Sequence, residues 1–171
     1  MKTMLQKYIF AVFIFFSLFS LSQSNSSQET HYYFIRHAEK NRGDNVGKNP
    51  SLNKQGKKRA ESWSVYFKDI EFDAIYATSY NRTIQTAKPT AKAKNLKIKT
   101  YDPNALYSKQ FQEETKEKKV LVVGHSNTTP AFVNHILKEN YYAEIDDKTN
   151  SHLYIVKILD GTIDHNLLIV N

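Results

Sequence analysis

The chain has 171 residues, 40% of them hydrophobic and 24% charged, which fits one domain of ordinary size and excludes wholesale disorder. It has no cysteine, and that excludes a disulfide framework, a thiolate metal site and a cysteine nucleophile together. The formal net charge is +7, or +5 once Lys2 and Lys7 are set aside.

Those two lysines precede an uncharged apolar run from Tyr8 to Leu21, 14 residues long, where a spanning helix needs about 20. Small residues follow at Ser20, Ser22 and Ser24. A basic start, a short apolar centre and small exit residues describe a secretory signal peptide over residues 1–22, cleaved after Ser22 or Ser24. An uncleaved N-terminal anchor is the competing reading. Residues 23–30 (QSNSSQET) are read as a polar leader and 31–171 as the folded domain, with no stable membrane span after cleavage. An exported chain without cysteine holds together by packing alone, so an exported bacterial protein, periplasmic or secreted, is expected. Glycosylation acceptor patterns at Asn81-Arg82-Thr83 and Asn127-Thr128-Thr129 fall on candidate site segments, which disfavours a eukaryotic export route.

Along the domain, His31 to Arg36 (HYYFIR) reads as a buried strand. Residues 40 to 51 carry Gly43, Gly47 and Pro50 among Asn and Asp, and read as a loop. From Leu52 the apolar positions Ala60, Trp63, Phe67 and Ile70 recur at helical spacing. Phe72 to Ala77 is a short strand, and Tyr80 to Asn95 a helix that Pro89 interrupts. Leu96 to Tyr101 reads as a strand and Ser108 to Lys119 as a solvated helix with charge pairs. Val120 to Val123 is a continuous apolar strand, and Thr128 to Lys138 a helix with Pro130 tolerated near its start. His152 to Leu159 and Asn166 to Val170 flank an Asp160-Gly161 turn and suit a hairpin, with the register left open. Strands alternating with helices predict an α/β fold, a three-layer α/β/α sandwich around a central, mostly parallel mixed sheet.

Two strands end in chemistry. One runs into Arg36-His37 and another into Gly124-His125. Ligands of open α/β sheets bind beyond the carboxyl ends of strands, so neighbouring strands here bring two imidazoles to one crevice. A third strand ends at Thr78-Ser79, and Arg82 opens the helix that follows. Two guanidiniums near a helix N-terminus suit a phosphate or carboxylate by bidentate hydrogen bonding. One histidine can attack phosphorus while the second donates to the phosphoryl oxygens, and the arginines supply positive charge without a metal. Arginine at the end of an apolar strand is rarely buried without a partner, which argues for a role at Arg36.

These residues bring a family into view. Phe34-Ile35-Arg36-His37-Ala38-Glu39 resembles the Arg-His-Gly signature of the histidine phosphatase superfamily, the phosphoglycerate-mutase-like enzymes. Leu52-Asn53-Lys54-Gln55-Gly56 resembles that family's Leu-Thr-x-x-Gly helix start. The segment from Ala77-Thr78-Ser79 through Arg82 to Ala87 resembles its Ser-x-x-x-Arg-x-x-x-Thr-Ala stretch, and Val122 to Asn127 its second histidine motif. The resemblance covers nearly all of the mature chain. It implies that His37 is the nucleophile and forms a phosphohistidine, that Arg36, Arg82 and His125 complete the phosphate pocket, that water then releases phosphate, and that no metal or other cofactor takes part.

Two departures qualify it. Ala38 replaces the glycine of the first motif. Many members place a proton-donating glutamate in an Asp-Pro-x-Leu-x-Glu segment; here Asp102-Pro103-Asn104-Ala105-Leu106-Tyr107 puts tyrosine at that place. Asp102 is taken as the catalytic acid, with Glu113, Glu114 or no acid as alternatives. The substrate expected is a phosphomonoester or a phosphohistidine-type group, and the alternative is a weak or inactive phosphate-binding module of the same fold. Pocket walls are expected from Lys40 to Ser51 and from Asp102 to Glu117. The partner is a small phosphorylated substrate. The lysines are scattered and no nucleic-acid module is recognised, so the excess charge is read as steering of that substrate. Oligomeric state has no signature in the sequence.

Overall fold

The computed structural model describes residues 29–171. The signal peptide and nearly all of the polar leader read from the sequence lie outside the described residues. The last two leader positions, Glu29 and Thr30, belong to the first strand, because they pair with Leu159 and Ile158.

The elements are β1 (Glu29–Arg36), α1 (Lys54–Tyr66), β2 (Ala74–Ala77), α2 (Asn81–Ala93), β3 (Ile98–Thr100), α3 (Lys109–Thr115), β4 (Lys119–Gly124), α4 (Thr128–Leu137), β5 (His152–Leu159) and β6 (Thr162–Ile169). They form one six-stranded sheet in the order β3-β2-β4-β1-β5-β6. Strands β3, β2, β4 and β1 run parallel, β5 is antiparallel to β1, and β6 is antiparallel to β5. Alternate residues of each strand point to opposite faces. On one face Tyr32, Phe34, Tyr76 and Val122 pack with Phe111 of α3 and Phe132, Val133 and Ile136 of α4. On the other, Ile35, Ile75, Leu121 and Val123 pack with Trp63 of α1 and Ala87 and Ala91 of α2. The result is the expected α/β/α sandwich around a mixed sheet.

Register decides where the strand ends fall. Arg36 lies opposite Gly124, and the His37 amide continues the ladder to the Gly124 carbonyl at 2.9 Å. On the far side of β4, Ala77 lies opposite Val123. Three strands therefore stop side by side, and His37, His125 and Thr78 leave the sheet at one edge.

Several elements differ from the sequence reading. The hairpin turn is the two residues Asp160 (φ 49°) and Gly161 (φ 81°), both left-handed, which is the primed geometry that matches strand twist. Leu159 then faces Thr162, and β6 starts four residues before Asn166. An edge strand keeps its polar Thr162, Asp164 and Asn166 in solvent, so its first half resembles loop in composition. Helix α3 stops at Thr115, and it is not merely solvated: Phe111 is 6% exposed and Thr115 fully buried. Thr115 Oγ1 donates to the Phe111 carbonyl, leaving the Tyr32 hydroxyl to donate to Thr115 Oγ1 at 2.6 Å. The helix cannot run on to Lys119, because Glu117 adopts φ 60° and Lys119 has joined β4. Pro89 does not end α2; Ala87, Thr90 and Ala91 are buried around it and hold the last turn. Among the described residues no helix is long and apolar enough to cross a membrane.

Candidate active site

His37 follows β1 directly, and its backbone is pinned on both sides. The Asn150 side chain donates to its carbonyl at 2.8 Å, and the Ala38 amide donates to Thr86 Oγ1 at 2.9 Å. The Nδ1 atom lies 2.7 Å from the Ala38 carbonyl oxygen. A carbonyl only accepts, so Nδ1 carries the proton and Nε2 keeps its lone pair. The ring is 4% exposed. Burial, with the nearby charges of Arg36 and Arg82, pushes its pKa down to about 3.

His125 follows β4. Its Nδ1 accepts from the Arg82 guanidinium at 3.2 Å, so the proton sits on Nε2. Nε2 donates to Thr78 Oγ1 at 2.9 Å, Thr78 Oγ1 donates to Thr83 Oγ1 at 3.0 Å, and that hydroxyl donates to the Thr78 carbonyl at 2.8 Å. The chain of donors has one direction and ends on a backbone oxygen. Burial lowers the pKa of His125 to about 4, with the Arg82 and Arg36 charges adding to it. The rings of His37 and His125 stand 5.5 Å apart at 65°. The edge of Tyr80 meets His125 at 5.0 Å, and the Arg82 guanidinium lies over the Tyr80 ring at 4.6 Å.

Arg36 is 2% exposed but not unpaired. Its NH1 donates to the carbonyls of Asp146 (2.8 Å) and Thr149 (2.9 Å), and its NH2 to Asp147 Oδ1 at 2.6 Å. Asp147 Oδ2 accepts from Arg42 at 2.6 Å. Arg42 and then Arg36 hold the Asp147 carboxyl well below the usual carboxylate range.

These groups share one cleft of about 480 Å³ at the carboxyl edge of the sheet. Arg36, His37, Arg82 and His125 all line it, as do Lys40, Tyr80 and Asn104. Its field is cationic, and both imidazoles line it with their rings 5.5 Å apart. Among the described residues no group of three or more His, Asp or Glu is placed to hold a metal ion.

Asp102 is not among the residues that line the cleft: it is exposed, and its Oδ1 accepts from the Asn104 amide (2.8 Å) and side chain (3.1 Å), closing a local turn. Glu114 is bound to Tyr76 at 2.8 Å, and Glu113 lines a separate hollow beside Tyr32 and Tyr107. From the expected wall at 102–117 only Pro103 and Asn104 reach the cleft. The segment between α4 and β5 takes that place instead, through Glu144 and Asp147. Sequence reasoning missed it because Asp147 meets Arg36 across 111 residues of chain and carries no local motif. Glu39 pairs with Arg59 at 2.8 Å.

The fold and the cleft define an α/β/α protein whose adjacent strand ends present two histidines and two arginines to a single cleft. Solved structures share this architecture. One is assigned as the phosphohistidine phosphatase SixA from Agrobacterium tumefaciens, at 20% identity and TM-score 0.57, covering 81% of this chain and 97% of that one. Another is assigned as an alpha-ribazole-5'-P phosphatase from Escherichia coli, at 12% identity and TM-score 0.65, with 83% and 96% covered. A mycobacterial glucosyl-3-phosphoglycerate phosphatase aligns at 11% identity and TM-score 0.62, with 84% and 99% covered. At these identities the likeness is one of fold. The model of the histidine phosphatase superfamily (branch 1) matches residues 32–103, which include Arg36, His37 and Arg82. Over that stretch the chain is similar to the histidine phosphatase superfamily. The second histidine motif lies beyond the matched stretch. No curated protein matches the chain in sequence.

Proposed function

We propose that the protein is a phosphatase that hydrolyses a phosphomonoester, or a phosphohistidine-type group, through a phosphohistidine intermediate on His37, without a metal. The observation that carries this reading is the 2.7 Å contact between His37 Nδ1 and the Ala38 carbonyl. It leaves the Nε2 lone pair on a ring whose pKa is pushed down to about 3, so the nucleophile needs no deprotonation at neutral pH.

Nε2 attacks phosphorus, the P–N bond forms, and the ester P–O bond breaks. Arg82 and Arg36 offset the phosphoryl charge, as a metal does elsewhere. In the free protein His125 Nδ1 accepts from Arg82. Burial depresses His125 first and the arginine charges add to it; a dianion placed among these cations offsets the second contribution. The ring then takes up a proton at Nδ1 and donates it to a phosphoryl oxygen. One such donor is worth about 10²–10³ in kcat. Water next attacks phosphorus, the P–N bond breaks, phosphate leaves, and His37 returns to its starting tautomer. The structures it resembles are named for phosphohistidine and small organic phosphates, which supports a phosphorylated small molecule as substrate.

Rapid quenching of an aryl phosphate reaction tests this. An acid-labile phosphoryl group on the His37 peptide is expected by mass spectrometry, and His37→Ala removes both the label and phosphate release. Turnover in that variant, or turnover of the wild type with no label, overturns the assignment. The same reading has the protein exported, on the strength of Lys2, Lys7, the Tyr8–Leu21 run and the serines after it. Protein recovered outside the cytoplasm then begins at Gln23 or Asn25.

A further inference from the structure

Expulsion of an alkoxide from phosphorus needs a proton, and the acids expected from sequence do not reach the cleft. Among the described residues, Glu144 and Asp147 are the carboxylates that line it. Asp147 is committed to Arg36 and Arg42 through both oxygens, at 2.6 Å each, and carries no proton there. Glu144 differs in each respect. Its Oε1 accepts from the Ser126 hydroxyl at 3.2 Å, and Oε2 is left for a proton. The backbone beside it is fixed, because the Ile145 amide donates to the Ser126 carbonyl at 3.0 Å and the Ile145 side chain is 4% exposed. Ser126 directly follows His125, so Glu144 is tethered one residue from the imidazole that faces the nucleophile. It is exposed to solvent and lines the cleft.

We propose that Glu144 is the catalytic acid and base of this site, a role that rests on the phosphatase reading above. In the first half-reaction the Glu144 carboxylic acid gives its proton to the ester oxygen as the P–O bond breaks. Alcohol leaves and a carboxylate remains. In the second, that carboxylate takes a proton from water as the oxygen attacks the phosphohistidine, which restores the acid and frees phosphate.

The experiment compares wild type and Glu144→Gln on an unactivated alkyl phosphate and on p-nitrophenyl phosphate. The nitrophenolate leaves without help, so its single-turnover burst, which precedes hydrolysis of the phosphohistidine, reports folding and nucleophilic attack alone. We expect Glu144→Gln to lose about 100-fold in the single-turnover rate on the alkyl ester and to stay within about 3-fold in that of the aryl ester. Glu113→Gln, off the cleft, changes neither. Equal losses on both substrates, or no loss on the alkyl ester, overturn the proposal. So does a wild type that cleaves the aryl ester only, while the phosphatase reading survives that result. A wild type inert toward both substrates takes the phosphatase reading down as well.

Discussion

His37 and His125 are kept neutral by the same two forces, burial first and neighbouring arginines second. The unfolded chain titrates both near pH 6.5, whereas the folded values are about 3 and about 4. Between those limits the unfolded state binds more protons, so stability falls as pH falls. The penalty is absent above about pH 6.5 and stops growing once each folded ring is itself protonated. Asp147, held low by Arg42 and Arg36, adds a smaller loss below about pH 4, discounted because its side chain is largely in water. Urea midpoints should therefore drop from pH 7 to pH 5, and His37→Asn should flatten that slope. Arg82 is tested separately. Arg82→Ala should weaken inhibition by phosphate by about 10- to 100-fold, the size of a lost charge-assisted hydrogen bond. It should also raise the His125 pKa, read by NMR, because the cation at Nδ1 is gone. An unchanged inhibition constant would exclude Arg82 from the phosphate site.

At the scale of elements, the loop after His37 is held by the start of α1. Asn53 caps the helix, its Oδ1 accepting from the Gly56 amide at 2.8 Å, while the Asn53 amide donates to the Glu39 carbonyl at 3.0 Å. A Cβ on Gly56 would meet that carbonyl oxygen at 2.0 Å and the Glu39 nitrogen at 2.9 Å. Backbone lies on both sides of this contact, so neither can yield cheaply. Gly56→Ala should cost about 1–3 kcal/mol in denaturant unfolding, the usual cost of overpacking. It should also lower kcat, because Ala38 and Glu39 move with the helix. Loss of stability without loss of activity would separate α1 from the site. The glycine is visible in the sequence; the carbonyl that requires it is not.

The whole molecule carries a formal charge of +7, and the cleft opens among Arg36, Lys40, Arg82 and the Arg42–Asp147 pair. A cationic rim raises the local concentration of an anionic substrate, and salt screens that attraction over about 8 Å at physiological ionic strength. Stopped-flow or steady-state assays should show kcat/KM for a dianionic substrate falling several-fold from low to physiological salt, with kcat little changed. An unchanged kcat/KM would mean that the excess charge does not steer.

The alternation of strands and helices, the two strand ends at Arg36-His37 and Gly124-His125, and the helix-opening Arg82 were all legible in the linear chain, because each is carried by local periodicity and neighbouring residue types. Boundaries failed where local composition misleads. The polar half of β6 lies on an edge and needs no apolar residues, and the end of α3 is set by Glu117 in a left-handed conformation. The carboxylates of the cleft escaped for a different reason. Asp102 sits in a suggestive dipeptide but closes its own turn, while Glu144 and Asp147 enter the cleft from a segment with no pattern to mark it. What the linear order determined is which residues stand at the ends of strands. What only the tertiary structure decided is which strands are neighbours, and therefore which distant carboxylate meets which guanidinium, since charge and hydrogen bonding act through distance in space and not along the chain.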